Sequence, residues 1–215
     1  MNADHAMHML SLGYDCKVAY QIRRHSGQEQ AFFFDWLMTP VEGLRVMLGR
    51  DEDLLRPGRW ELVKSDSTVR DLDTGLMFMH EFPSVPVVGG EQSHRVIESQ
   101  VEAHLPIARQ KFAYLRRKTL ELIRNSRELL LVRADEVATL DEALQQLNQI
   151  REIFLPLNPT LRFAFASTRL PGTFQAPQTL IYKTEPGADW RGDNASWDRM
   201  FGAARQLLGA PALAA

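Results

Sequence analysis

The feature that most constrains the fold is a set of short, almost wholly apolar runs in the C-terminal half of the chain. They are ELLLVRA at 128–134, LRFAFAS at 161–167 and TLIYKTE at 179–185. The amphipathic pattern LDEALQQLNQIREIFLPL lies between the first two runs and places leucines and Ile150 on one helical face. Apolar strands that alternate with helices are typical of layered α/β domains. The sequence therefore predicts an α/β sandwich with a largely parallel central sheet flanked by helices.

The N-terminal part of the chain shows the same alternation. The apolar run HMLSL at 8–12 ends at Gly13, and YDCKVAYQIRRH at 14–25 follows with apolar residues four apart. At the other end, NASWDRMFGAARQLLG predicts a closing helix, which we expect Asn194 or Ser196 to cap. These segments predict a strand and a helix before the central region and one more helix after the last strand.

The central region contains two further helix predictions. TPVEGLRVMLG indicates a helix with Thr39 as its N-cap and Pro40 at its first position. The segment 93–126 is mostly helical in pattern, and we expect Pro106 either to begin a new helix there or to kink the existing one.

The region 40–95 does not repeat the strand–helix unit. WELVK at 60–64 and LMFMHEF at 76–82 indicate strands around a polar turn. We therefore expect one domain over 1–215, with 40–95 as an inserted cap and 210–215 as a frayed tail.

Cys16 is the only cysteine, and it follows the first predicted strand within the motif SLGYDC. The carboxyl edge of a parallel sheet is where α/β folds bind their ligands. With Asp15 as N-cap, Cys16 falls in the first helical turn, where unpaired N–H groups favour the thiolate while the Asp15 charge opposes it. Two interpretations remain open from the pattern alone, a nucleophile at the sheet edge and an ordinary small core residue.

A thiol nucleophile needs a general base and a group that orients this base. Of the six histidines, His80 stands out because it lies near the end of an apolar strand. Asp35 lies within FFFDWL, where a buried carboxylate needs an arginine or backbone N–H partner. Asp135 follows a predicted strand, and Asp193 lies in a predicted turn before the last helix. Each aspartate is alternatively a cap or turn residue.

Composition excludes several functional classes. The formal net charge of −2 gives no basic field for nucleic acid or for an anionic membrane surface, and no apolar window is long enough for a membrane span. The chain lacks a glycine-rich phosphate loop and the HExxH metal motif, and a single cysteine excludes an internal disulfide. We expect no cofactor, no metal, no nucleic-acid or membrane partner, and a cytoplasmic location.

The motifs LSLGYDCKVAYQIRR, AFFFDWLMTP, FMHEF and WRGDNASWD together resemble bacterial proteins grouped as papain-like cysteine peptidases. The resemblance covers about residues 8–201. It implies Cys16 as nucleophile and His80 as base, and it places Asp35 and Asp193 at motif positions. A papain-like α+β architecture is the alternative fold that it implies.

The leading functional hypothesis is therefore a thiol hydrolase or acyl-transferase acting on a peptide, amide or thioester. Its expected substrate-binding residues are Ser11, Gly13, Tyr14, Asp15 and Trp36. No substrate and no oligomeric state follow from the sequence.

Two alternatives remain open. The first is a domain that binds carbohydrate or a nucleotide sugar, with a site built from two aspartates and three tryptophans: Asp35, Asp193, Trp36, Trp190 and Trp197. The second is a catalytically silent interaction module, in which Cys16 is buried and unreactive.

Overall fold

A computed structural model describes residues 8–88 and 93–209 of the chain. The elements, in chain order, are β1 (His8–Ser11), α1 (Cys16–Ser26), β2 (Leu37–Met38), β3 (Trp60–Val63), β4 (Thr68–Asp71), β5 (Met77–Phe78), β6 (Ser84–Pro86), β7 (His94–Val96), α2 (Glu98–Asn125), β8 (Leu129–Ala134), α3 (Leu140–Phe154), β9 (Arg162–Ser167), β10 (Phe174–Ala176), β11 (Thr179–Lys183) and α4 (Asn194–Gly209).

The central sheet has the strand order β1-β8-β9-β11-β10. The first four strands run parallel, with Met9 opposite Leu130 and Leu131 opposite Phe163, and β10 adds an antiparallel edge. Every residue of β8 and β9 is buried, as expected for strands that are covered on both faces. The predicted α/β fold with a largely parallel central sheet is confirmed.

Helices cover both faces of this sheet. Successive residues of β8 point to opposite sides, so Leu131 joins the core formed with α2 and α3. Val132 joins a second core, formed with the apolar sides of α1 and α4. The helix that starts at Cys16 is therefore fixed against the sheet by Val18 and Ile22, which are both buried.

The region between β1–α1 and α2 forms two antiparallel sheets. One has the order β2-β5-β4-β3, and the other is the β6-β7 pair. Phe78 of the first sheet and Leu76, just before β5, are buried in the same core as Leu131, so this region packs directly against the α2–α3 side of the domain. The role of 40–95 as a cap stays a prediction, and the tail at 210–215 lies outside the described residues.

One helix prediction in this part of the chain was wrong in detail, and for Pro106 one of the two predicted alternatives is excluded. Residues Glu42–Leu48 form a 3₁₀ helix whose N-cap is Val41 rather than Thr39. Thr39 instead lies buried against Gly13, so its position is set by packing and not by capping. Pro106 does not begin a new helix, because α2 continues through it. The buried residues Val101, Leu105 and Ala108 on either side hold the helix together despite the missing N–H.

The cap of the last helix also differs from the prediction. The Asp193 carboxylate accepts a hydrogen bond from the Ser196 backbone N–H at 2.7 Å, so Asp193 caps α4. Asn194 is instead occupied with α1, where its side-chain oxygen accepts a hydrogen bond from Gln21 at 2.9 Å. Among the described helices, none combines the length and apolarity that crossing a bilayer requires.

Candidate functional site

The turn between β1 and α1 requires glycine at position 13. Gly13 and Tyr14 have φ angles of 76° and 84°, both in the left-handed region. A Cβ on Gly13 would lie 2.4 Å from the Thr39 hydroxyl oxygen. The Gly13 N–H donates to the Ser11 hydroxyl at 3.1 Å, which closes the turn. Ser11 and Gly13 therefore shape the loop that leads to Cys16.

Asp15 is the N-cap of α1, as the sequence predicted, and Cys16 is the first residue of the helix. The Asp15 carboxylate accepts a hydrogen bond from the Lys17 N–H at 2.9 Å, and the Lys17 ammonium lies 3.5 Å from the same carboxylate. The cap thus places a negative charge immediately beside the thiol.

The Cys16 Sγ lies 3.7 Å from the His80 Nε2, although the two residues are 64 positions apart in the chain. Cys16 comes from the start of α1, and His80 follows the short strand β5 of the first antiparallel sheet. Cys16 is partly buried and His80 is exposed, so the pair is reachable from solvent. The structure brings together the two residues that the motif resemblance named as nucleophile and base.

Burial sets the charge state of this pair. Desolvation, together with the nearby Asp15 carboxylate, raises the pKa of the Cys16 thiol to about 11, against a small opposing effect of Lys64. Desolvation and the charge of His94 lower the pKa of His80. At neutral pH the pair therefore consists of a thiol and a neutral imidazole, and the thiol is positioned to donate to the ring nitrogen.

His94 supports the segment that carries His80. Its Nε2 lies 2.9 Å from the Ser67 carbonyl oxygen and 3.0 Å from the Met79 carbonyl oxygen. Because carbonyls only accept hydrogen bonds, this nitrogen carries a proton. The His94 and His80 ring centroids are 5.9 Å apart. The sequence pattern does not single out His94, because 93–126 is mostly helical in pattern, whereas His94 belongs to β7.

The buried Asp35 carboxylate has both partners that the sequence predicted, an arginine and a backbone N–H. Its carboxylate accepts hydrogen bonds from Arg23 of α1 and from the Phe32 N–H, each at 3.1 Å. Desolvation nevertheless outweighs these contacts and raises the pKa of Asp35. The Arg23 guanidinium also lies 5.3 Å from the centre of the Trp36 ring. Asp35 ties the FFFDWL loop to the helix that carries Cys16.

A pocket of about 130 Å³ opens between this loop and α2. Asp35, Trp36 and His80 all line it, so three of the predicted site residues share one cavity. A second cavity of only about 20 Å³ lies at the carboxyl edge of the central sheet, where Tyr14 and Asp15 line it. That volume is comparable to a single water molecule.

The structure does not place a third catalytic residue in hydrogen-bond contact with His80. Asp193 is engaged as the cap of α4, and Asp135 pairs with Arg133 at 3.3 Å and with the Tyr14 hydroxyl. Within 8–88 and 93–209, no carboxylate or amide hydrogen-bonds to the His80 ring. The described site is therefore a pair rather than a triad.

Arg133 is a buried arginine whose contacts the sequence does not reveal, because it lies near the end of an apolar strand. Its guanidinium donates to the Thr39 carbonyl at 2.6 Å and to the Leu12 carbonyl at 3.4 Å, and it lies 5.3 Å from the Tyr14 ring centre. It thus links the end of β8 to the loop before Cys16 and to the segment after β2.

The three tryptophans proposed for a sugar site differ in how exposed they are. Trp197 is 1% exposed and belongs to the core beneath α4, so its ring face is not free to stack on a sugar. Trp190 is exposed and packs edge-on against Tyr20 at 5.5 Å, while Trp36 lines the pocket beside His80.

Within the described residues, no group of three histidine, cysteine, aspartate or glutamate side chains could hold a metal ion. Searches against family models, curated proteins and solved structures found no match to this chain. The assignment of the site therefore depends on its own geometry, and the resemblance to papain-like peptidases stays a prediction.

Proposed function

We propose that this protein is a thiol hydrolase or acyl-transferase in which Cys16 is the nucleophile and His80 is the general base. The observation that carries the proposal is the 3.7 Å separation of Cys16 Sγ and His80 Nε2 in a solvent-reachable position. Apo dyads commonly have such loose contacts, which tighten when substrate binds. Peptide, amide and thioester substrates all fit this chemistry.

The charge state of the pair defines the first step. As Cys16 Sγ forms a bond to the substrate carbonyl carbon, its proton passes to His80 Nε2 and the carbonyl electrons move onto oxygen. The resulting imidazolium then protonates the leaving amine, alcohol or thiol as the carbonyl re-forms. The product of this half-reaction is a thioester on Cys16, which water or an acceptor nucleophile cleaves with His80 again accepting a proton.

The backbone at the start of α1 supplies one donor for the developing oxyanion. The Lys17 N–H is already bonded to the Asp15 carboxylate, and among the described residues the Cys16 N–H has no backbone or side-chain acceptor. We propose that the Cys16 backbone N–H donates a hydrogen bond to the oxyanion and stabilises the transition state as other oxyanion-hole donors do.

The proposal is tested by comparing Cys16→Ala, His80→Gln and a matched control. Covalent labelling by a thiol-directed acyl electrophile is followed by intact-mass spectrometry, and unfolding is followed by circular dichroism. Cys16→Ala should abolish labelling, and His80→Gln should slow acylation about 10²–10⁴-fold, the usual contribution of a general base. Both variants should remain folded.

His25→Gln is the control, because His25 lies on the same helix about 13 Å further along and pairs with Asp198. It should leave the acylation rate unchanged. A folded His80→Gln protein that acylates as fast as the wild type would overturn the assignment of the base. A cysteine that no electrophile modifies in the folded protein would favour the silent interaction module instead.

A further inference from the structure

The pocket beside His80 is walled mainly by apolar side chains. The apolar lining includes Phe32, Trp36, Leu37, Phe78, Phe112 and Leu115. Its volume of about 130 Å³ is close to that of cavities known to hold one benzene molecule, about 150 Å³. The space is therefore suited to a single aromatic ring or a branched aliphatic group.

The charged groups in the wall are already paired. The Asp35 carboxylate is bonded to Arg23, and the Glu81 carboxylate is bonded to Lys111, with His104 at 3.7 Å. A cationic ligand would have to compete with these internal cations, and an anionic ligand would meet two carboxylates. A neutral ligand loses little solvation on entering and gains the contact with the aromatic walls.

His80 connects the pocket to the reacting atoms. It lines the cavity, and its Nε2 is 3.7 Å from the Cys16 sulfur. A group that fills the cavity therefore holds the carbonyl to which it is joined by a short link next to the thiol. A group too small to fill the cavity lacks this positioning.

From these observations we infer that the pocket selects substrates whose acyl portion carries a neutral aromatic or branched aliphatic side group next to the reacting carbonyl. The inference rests on the proposed function, since it uses Cys16 as the atom that is acylated. It adds a substrate class to the site: esters, thioesters or amides of acids such as phenylacetic acid.

The test uses the full chain and N-acetylcysteamine thioesters of three acids: acetic, phenylacetic and 4-(aminomethyl)phenylacetic acid. The rate of Cys16 acylation is measured by intact-mass spectrometry. The wild-type protein should react with the phenylacetyl thioester at least tenfold faster than with the acetyl thioester. It should also prefer the neutral ring to the cationic ring by at least tenfold.

A variant then fills the pocket from its rim. Ala31 is exposed and lines the cavity, so Ala31→Phe adds a ring without replacing a core residue. This variant should lose at least tenfold in phenylacetyl transfer, so its preference for the phenylacetyl over the acetyl thioester should fall. The matched control is Ala138→Phe, at another exposed alanine before α3, which should change neither rate.

Two outcomes would overturn the inference and are distinguishable. If Cys16 is acylated in a His80-dependent way but the wild type treats the acetyl and phenylacetyl thioesters alike, the pocket has no selective role and the proposed function stands. If no thioester acylates Cys16 and iodoacetamide labelling is independent of His80, the proposed function fails together with this inference. If Ala31→Phe does not fold, the acetyl and phenylacetyl rates of the wild-type protein still test the inference.

Discussion

The effect of the Asp15 charge on the Cys16 thiol can be isolated by one substitution. Asp15→Asn removes the charge and keeps a residue that is equally favoured at a helix N-cap. The asparagine side-chain oxygen can still accept the Lys17 N–H bond, which measures 2.9 Å in the native structure. The helix that carries Cys16 should therefore begin at the same residue while the electrostatics beside the thiol change.

The expected magnitude follows from the pKa of the thiol. Its rise from an ordinary value of 9.0 to about 11 means that the thiolate at neutral pH is about a hundredfold scarcer than for an unperturbed cysteine. Burial is the largest cause and the Asp15 charge the second. Asp15→Asn should therefore recover the smaller part of this factor, which we put at about tenfold or less.

The assay is the rate of alkylation by iodoacetamide between pH 6 and pH 11, measured by mass spectrometry in a His80→Gln background. In that background the imidazole cannot accept the proton, so the rate follows thiolate formation alone. Asp15→Asn should react faster than its parent at pH values well below the thiol pKa, and the difference between the two rates should shrink as the pH approaches 11.

Lys64→Gln is a control that should change the alkylation rate in the opposite direction. The Lys64 charge lowers the pKa of the thiol, so its removal should slow alkylation over the same pH range. If Asp15→Asn leaves the rate unchanged or slows it, with α1 intact by circular dichroism, the charge of Asp15 does not act on Cys16 and the reasoning is refuted.

Three further perturbations test neighbouring parts of the site. His94→Gln removes a charge that lowers the pKa of His80. The fall of the acylation rate at acid pH, which reports protonation of His80 and lies below the ordinary histidine pKa of 6.5, should therefore move to higher pH. An unchanged pH dependence would exclude this effect. Desolvation outweighs the hydrogen bonds of the Asp35 carboxylate and raises its pKa, and asparagine keeps an acceptor for the Phe32 N–H. Asp35→Asn should therefore change the free energy of unfolding by less than about 1 kcal/mol in urea titrations, and a loss of about 2 kcal/mol or more would show that the pair with Arg23 outweighs desolvation. Gly13→Ala forces a Cβ against Thr39 and should cost about 1–3 kcal/mol in the same titration, so an equally stable variant would contradict the observed turn.

The central sheet was predictable because its strands are defined by local composition. The runs that became β8, β9 and β11 are apolar over most of their length, and burial on both faces of a parallel sheet requires this pattern. The Asp15 cap was predictable for a similar reason, since a capping residue contacts an N–H only two positions away. Features that depend on neighbouring residues were therefore available from the sequence.

Features that depend on distant partners were not. Arg133 looked like the end of an apolar strand, and only the fold shows that it donates to the carbonyls of Leu12 and Thr39. His94 looked like part of a helical segment, although its partners are carbonyls 15 and 27 positions away. The local chemistry of Pro106 predicted a new helix or a kink, and α2 continues through it because the residues on either side are packed in the core.

The charge state of Cys16 links these distant contacts to the proposed chemistry. A helix N-terminus usually favours a thiolate, but at this one the Asp15 charge and the burial of the sulfur have the opposite effect. The nucleophile must then form as His80 takes the proton, so reactivity depends on the position of the imidazole more than on α1. That position is set by the antiparallel region, where the His94 ring donates to the Met79 carbonyl next to His80. If the proposed function holds, the region between α1 and α2 is part of the catalytic apparatus, and loosening its contacts should reduce the acylation rate before it reduces stability.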